Sequence, residues 1–100
     1  LAAIDRAAWI DPFDATVQER LAALAAARKD WPTAIRARRA VVALAPPDRA
    51  AALYRLASAL AASGDLVSAR REVLRALDLA PTYEPAQELL LTIRAGGKTP

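Results

Sequence analysis

Residues 15–46 read ATVQERLAALAAARKDWPTAIRARRAVVALAP, and residues 50–81 read AAALYRLASALAASGDLVSARREVLRALDLAP. Sliding the chain by 35 positions lays one on the other, with 12 of 32 residues identical. Alanine inflates such a score, but Arg20/Arg55, Asp30/Asp65 and the closing Leu44-Ala45-Pro46/Leu79-Ala80-Pro81 are not alanine matches alone. The step from Pro12 to Pro46 is 34 and that from Pro46 to Pro81 is 35; the doubled Pro46-Pro47 accommodates the extra residue. A period of this size marks a supersecondary unit that cannot bury its apolar face alone and stacks on its neighbours.

The unit is helical. Ala supplies 27 residues and Leu 14, both strong helix formers, and charges recur at three- and four-residue spacing. Breakers stand at Asp11-Pro12, Lys29-Asp30-Trp31-Pro32, Pro46-Pro47-Asp48, Ser63-Gly64-Asp65, Pro81-Thr82 and Gly96-Gly97. Asp14, Asp30, Asp48 and Asp65 each precede an apolar-periodic stretch, where a carboxylate can accept the orphan N–H groups of a helix start. Pro32 suits a first turn, whose N–H has no helical partner. The predicted helices are 2–11, 15–28, 31–45, 49–63, 66–80 and 83–95, with short connections that make neighbours antiparallel.

Composition excludes several functions. There is no Cys, Met or His, hence no disulfide framework, thiol nucleophile or imidazole base, and transition-metal sites lose their usual ligands. Ser58, Ser63 and Ser68 have no base beside them, and Gly64, Gly96 and Gly97 make no phosphate-cradling loop. No enzyme activity and no cofactor are therefore expected. The longest uncharged run, Leu56 to Gly64, has nine residues, against roughly 18 for a membrane span. The net charge of +3 is mild for nucleic-acid binding. Within 15–49 seven cations face Glu19, Asp30 and Asp48, but Arg36, Arg38 and Arg39, like Arg70, Arg71 and Arg75, fall on second helices without aromatic base-stacking neighbours. They read as a solvated outer face, and a nucleic-acid partner is not favoured. The use of Ala, Arg, Leu and Pro reads as a GC-rich, bacterial coding bias. The chain starts at Leu1, which reads as a processed protein or a segment of a longer one, and its Gly-Gly-Lys-Thr-Pro ending as a natural terminus. Lack of Cys suits cytoplasm and periplasm alike, the cytoplasm being favoured and the periplasm requiring a removed signal segment.

Residues 50–81 resemble the tetratricopeptide repeat. Leu53-Tyr54 and Leu56-Ala57 fall in its first helix, Gly64-Asp65 at its turn, and Ala69, Ala76 and Pro81 at its small-residue and terminal-proline landmarks. Small Ala57, Ala69 and Ala76 let helices approach closely, while Leu56, Leu60, Leu66, Val73 and Leu77 fill the space between repeats. Residues 15–46 agree at Leu21, Ala22, Asp30, Trp31, Ala34 and Pro46, and depart at Arg38, which stands where Val73 stands in the next repeat. Its stem is expected along the surface with the guanidinium outside. Trp31 is expected in the core, and Trp9 either covers this core or packs on something upstream. The resemblance implies an all-α, right-handed helical-hairpin solenoid of about six antiparallel helices. As a single domain over 1–95 it comprises a half repeat (1–14), repeats at 15–49 and 50–83, a capping helix (84–95), and a flexible tail at 96–100.

In that family the inward side of the first helices binds an extended peptide. The resemblance places Thr16, Glu19, Arg20 and Ala23 on this concave face in one repeat, and Ala51, Tyr54, Arg55 and Ser58 in the next. Two readings stand for each prominent residue. Tyr54 is either a recognition platform or packing between first helices. Arg20 and Arg55 either hold a carboxylate or phosphate together or are solvated beside Glu19. The family's Asn/Lys carboxylate clamp is not expected, since Arg occupies both Asn positions. The expected function is a non-catalytic protein- or peptide-binding module, its ligand carrying an acidic group, within a larger bacterial protein. The alternatives are a self-association domain forming homo-oligomers and an accessory C-terminal tail of a bacterial enzyme, as on some peptidases.

Overall fold

The computed structural model describes residues 14–96. The predicted first helix over 2–11, the half repeat around it with Trp9 and Pro12, and the tail beyond Gly96 lie outside the described residues. Among those described the protein is all-helical, without strands: α1 (Ala15–Ala27), α2 (Trp31–Ala43), α3 (Arg49–Ala62), α4 (Leu66–Leu79) and α5 (Glu84–Arg94). These match the five predicted helices within two residues at every end. The chain divides between Pro47 and Asp48 into two compact units.

In the first unit α1 and α2 form a hairpin. Asp14 Oδ1 accepts the N–H of Thr16 at 2.9 Å and of Val17 at 3.4 Å, so α1 begins where its cap predicts. Its end is a Schellman closure: Lys29 N–H donates to the Ala26 carbonyl at 3.0 Å and Asp30 N–H to the Ala25 carbonyl at 2.8 Å. This geometry needs a left-handed residue, and Lys29 supplies it at φ 59°. Asp30 closes α1 with its backbone and opens α2 with its side chain, accepting the Thr33 N–H at 3.4 Å. One residue thus serves both helices, which is why a three-residue turn suffices. Just beyond α2, Ala45 is left-handed at φ 53°, and its N–H reaches the Val42 carbonyl at 3.1 Å. The second Schellman bond is missing there because Pro46 has no N–H to donate.

In the second unit α3 and α4 form the same hairpin, and α5 packs mainly on α4. Asp48 caps α3 through the Ala51 N–H at 3.0 Å, and Asp65 caps α4 through the Ser68 N–H at 3.1 Å. Gly64 N–H donates to the Ala61 carbonyl at 3.1 Å and Asp65 N–H to the Leu60 carbonyl at 3.0 Å, with Gly64 at φ 94°. Lys29 and Gly64 stand 35 residues apart and do the same conformational work. α5 opens at Tyr83, whose side chain makes no cap bond, with Pro85 in the first turn.

The interior repeats more faithfully than the letters do. The buried residues of the first unit's helices are Gln18, Leu21, Ala22, Ala25, Ala34, Ala37 and Val41. Each has a buried counterpart 35 positions later: Leu53, Leu56, Ala57, Leu60, Ala69, Glu72 and Ala76. Size is exchanged within this pattern, Ala25 for Leu60 and Val41 for Ala76, as expected where total core volume matters more than any one side chain. Ala22, Ala57 and Ala69 are fully enclosed, in keeping with close helix approach at small residues. Arg38 is half-buried where Val73 is fully buried, and Trp31 is half-buried rather than enclosed.

Candidate functional site

Residues 16, 19, 20 and 23 of α1 share one helix face, because helical neighbours lie three and four apart. All four, Thr16, Glu19, Arg20 and Ala23, are exposed. No ion pair joins Arg20 to Glu19 among the described residues. The open face in this unit is therefore a cation and an anion on adjacent positions, bordered by a hydroxyl and a methyl.

The corresponding face of α3 is different. Arg55 is exposed, Tyr54 and Ser58 are half-buried, and Ala51 is only 4% exposed, leaving its methyl little to offer a ligand. The Tyr54 ring meets the Tyr83 ring edge to face, with centroids 5.8 Å apart and planes at 87°. This places the electropositive edge of one ring on the electronegative face of the other. Of the two readings of Tyr54, packing has a named partner, Tyr83 at the start of α5, the helix that begins one period after α3.

Tyr83 escaped the sequence reading. The signal was its position: it stands 35 residues after Asp48, which itself stands 34 after Asp14, so an aromatic replaces the expected capping carboxylate. Tyr83 begins α5 with its backbone, its carbonyl accepting the Gln87 N–H at 3.2 Å. Gln87 Nε2 donates to the Pro81 carbonyl at 2.8 Å and ties the connection down beneath it. The loop thereby holds the Tyr83 ring against Tyr54.

Glu72 was also missed. It is 3% exposed, in the place of Ala37 one repeat earlier. Its carboxylate accepts from Arg75 Nη1 at 2.8 Å and from Arg71 Nε at 3.4 Å, and both arginines keep much of their surface in water. Arg71 and Arg75 are thus not uniformly solvated, since each turns one nitrogen inward to a buried anion. Arg-Glu at adjacent positions with a second Arg three further on was the available sequence signal.

The hydroxyls are committed to local structure where bonds are seen: Ser63 Oγ donates to the Leu60 carbonyl at 2.7 Å and Thr92 Oγ1 to the Glu88 carbonyl at 3.2 Å. Among the described residues no three acidic side chains gather as metal ligands, and no helix is long and apolar enough to cross a membrane. Chemically, the surfaces available are exposed guanidinium groups beside small apolar side chains. Comparison with known proteins gives no match to a family model, a curated protein or a solved structure.

Proposed function

We propose that this chain is a non-catalytic protein- or peptide-binding module, built as a right-handed solenoid of tetratricopeptide-like hairpins within a larger bacterial protein. The observation that carries the reading is the recurrence of one hairpin: the same Schellman closure and shared capping aspartate at Asp30 and Asp65, and seven buried positions repeated at an interval of 35. Repetition of a hairpin at constant interval is what builds a solenoid, and solenoids present extended surfaces to partners. The proposed binding residues are Thr16, Glu19, Arg20 and Ala23 on α1 of the first unit, and Tyr54, Arg55 and Ser58, with the largely enclosed Ala51, on α3 of the second. The preferred ligand is an extended segment with an acidic group beside an apolar one, held by charge-assisted bonds that weaken as salt rises.

A titration with a synthetic extended peptide carrying Asp beside Leu tests this. Arg20→Ala/Arg55→Ala should lose most of the binding, and Arg36→Ala/Arg39→Ala should retain it. Loss confined to the second pair moves the interface to the second helices and refutes the proposed face.

A further inference from the structure

A second surface lies on the α4–α5 side of the second unit. Leu66, Val67, Arg70, Arg71 and Leu74 form one stripe along α4, and Ile93 of α5 completes an open groove of about 480 Å³. The groove is lined mainly by carbon, and it is not shielded. Val67 is 83% exposed and Leu74 40%. Exposed large apolar side chains side by side are the kind of surface on which partners dock.

The charges say which partner. Arg70 is exposed and has no ion-pair partner among the described residues, while Arg71 uses only its Nε on Glu72, at 3.4 Å. Two guanidinium groups therefore border the apolar lining, and no carboxylate lines it. The shape is equally specific. α1 and α3 each have a hairpin partner, but α5, which begins 35 residues after α3, has none among the described residues. A groove between two helices with one helix unpaired accepts a third helix lying along it.

We infer that the α4–α5 groove docks an amphipathic helix of a partner protein, its apolar side chains entering between Val67, Leu74 and Ile93 and its carboxylates meeting Arg70 and Arg71. This site is separate from the faces of α1 and α3 and stands or falls without them. Side chains at three- and four-residue spacing supply the apolar contacts, and Glu placed beside them supplies bidentate partners for the two arginines.

The test uses the whole chain and two labelled synthetic helical peptides of about 15 residues. Both carry the same leucine stripe; one is flanked by Glu, the other by Lys. The Glu peptide should bind about tenfold more tightly than the Lys peptide at low salt, a charge-assisted contact being of that order. Arg70→Glu should reverse the preference, Val67→Ser should weaken both peptides, and Arg36→Ala/Arg39→Ala, exposed on α2 and outside both surfaces, should change neither. Because Arg70 and Val67 are exposed, their variants should keep the parent's circular dichroism. Failure of the Glu peptide to saturate, or binding indifferent to Arg70→Glu and Val67→Ser, overturns the inference. So does sedimentation showing a dimer that Val67→Ser dissolves, which would give the groove to a second copy of this chain.

Discussion

Lys29 and Gly64 offer a direct measurement of what the hairpin turn costs. Both sit just beyond a helix end with positive φ, 59° and 94°, and both donate to the carbonyl three residues back. A left-handed backbone costs an L-residue about 1–2 kcal/mol, and glycine escapes it. Around Gly64 an added Cβ would meet nothing within 4 Å, so replacing it exposes the backbone term without a clash. Against this, Ala restrains the unfolded chain and returns about 0.4–1 kcal/mol. The balance for Gly64→Ala is a loss of about 1 kcal/mol. For Lys29→Gly the same terms change sign and predict a gain of about 0.5–1 kcal/mol. In a chain of this size 1 kcal/mol moves the melting midpoint by about 4–8 °C. Thermal melts followed by far-ultraviolet circular dichroism should therefore show Gly64→Ala below the parent and Lys29→Gly above it. Gly64→Asn should fall between the parent and Gly64→Ala, because Asn tolerates the left-handed region. A Lys29→Gly chain that melts lower than the parent, or a Gly64→Ala chain that melts with it, would refute the Schellman geometry at that turn.

Packing leads to four further outcomes. Ala69 is fully enclosed, so Ala69→Leu should overpack the second unit and cost about 1–3 kcal/mol in urea unfolding, whereas an unchanged midpoint would mean that the helices do not approach closely there. Arg75→Leu strips the shorter bond from a buried carboxylate and should cost about 1–3 kcal/mol. Glu72→Leu leaves only arginines that water can reach, in a place where the first unit buries Ala37, and should be close to neutral. Reversal of that order would show that the arginines, not the carboxylate, carry the burial penalty. A double-mutant cycle of Tyr54→Leu and Tyr83→Leu should return a coupling of about 0.5–1.5 kcal/mol, the usual worth of an edge-to-face pair, and zero coupling would remove the ring contact.

Helix positions were legible from the sequence because they are settled by local chemistry. Each capping aspartate acts on N–H groups two or three residues away, and each stop is a proline, a glycine or a left-handed residue next to the helix it ends. The same local logic carried the repeat, since identical turns require similar residues at similar places. Locality also has its limit in the Leu-Ala-Pro triplets. Leu44-Ala45-Pro46 and Leu79-Ala80-Pro81 are identical, yet Ala45 is left-handed at φ 53° and Ala80 extended at φ −141°. The residue after each triplet differs, Pro47 in one case and Thr82 in the other, so the triplet alone does not choose its conformation.

The candidate surfaces were legible only in part, for a physical reason. Periodicity assigns Thr16, Glu19, Arg20 and Ala23 to one face and Ala51, Tyr54, Arg55 and Ser58 to the matching face, but it does not say what covers either. Enclosure of Ala51 and contact of Tyr54 with Tyr83 depend on elements distant in the chain, as does the α4–α5 groove, where Ile93 closes a wall whose other members end at Leu74. The burial of Glu72 is the clearest case. Flanked by arginines, it reads as a surface residue, and only the packing of its helix against its neighbours turns the carboxylate inward and draws a nitrogen of Arg75 after it. Sequence by itself determined where helices begin and end and the interval at which they recur, because those are contests among neighbouring backbone groups. Tertiary structure decided which faces are covered and which stay open to solvent, because burial is a property of what approaches from elsewhere in the chain.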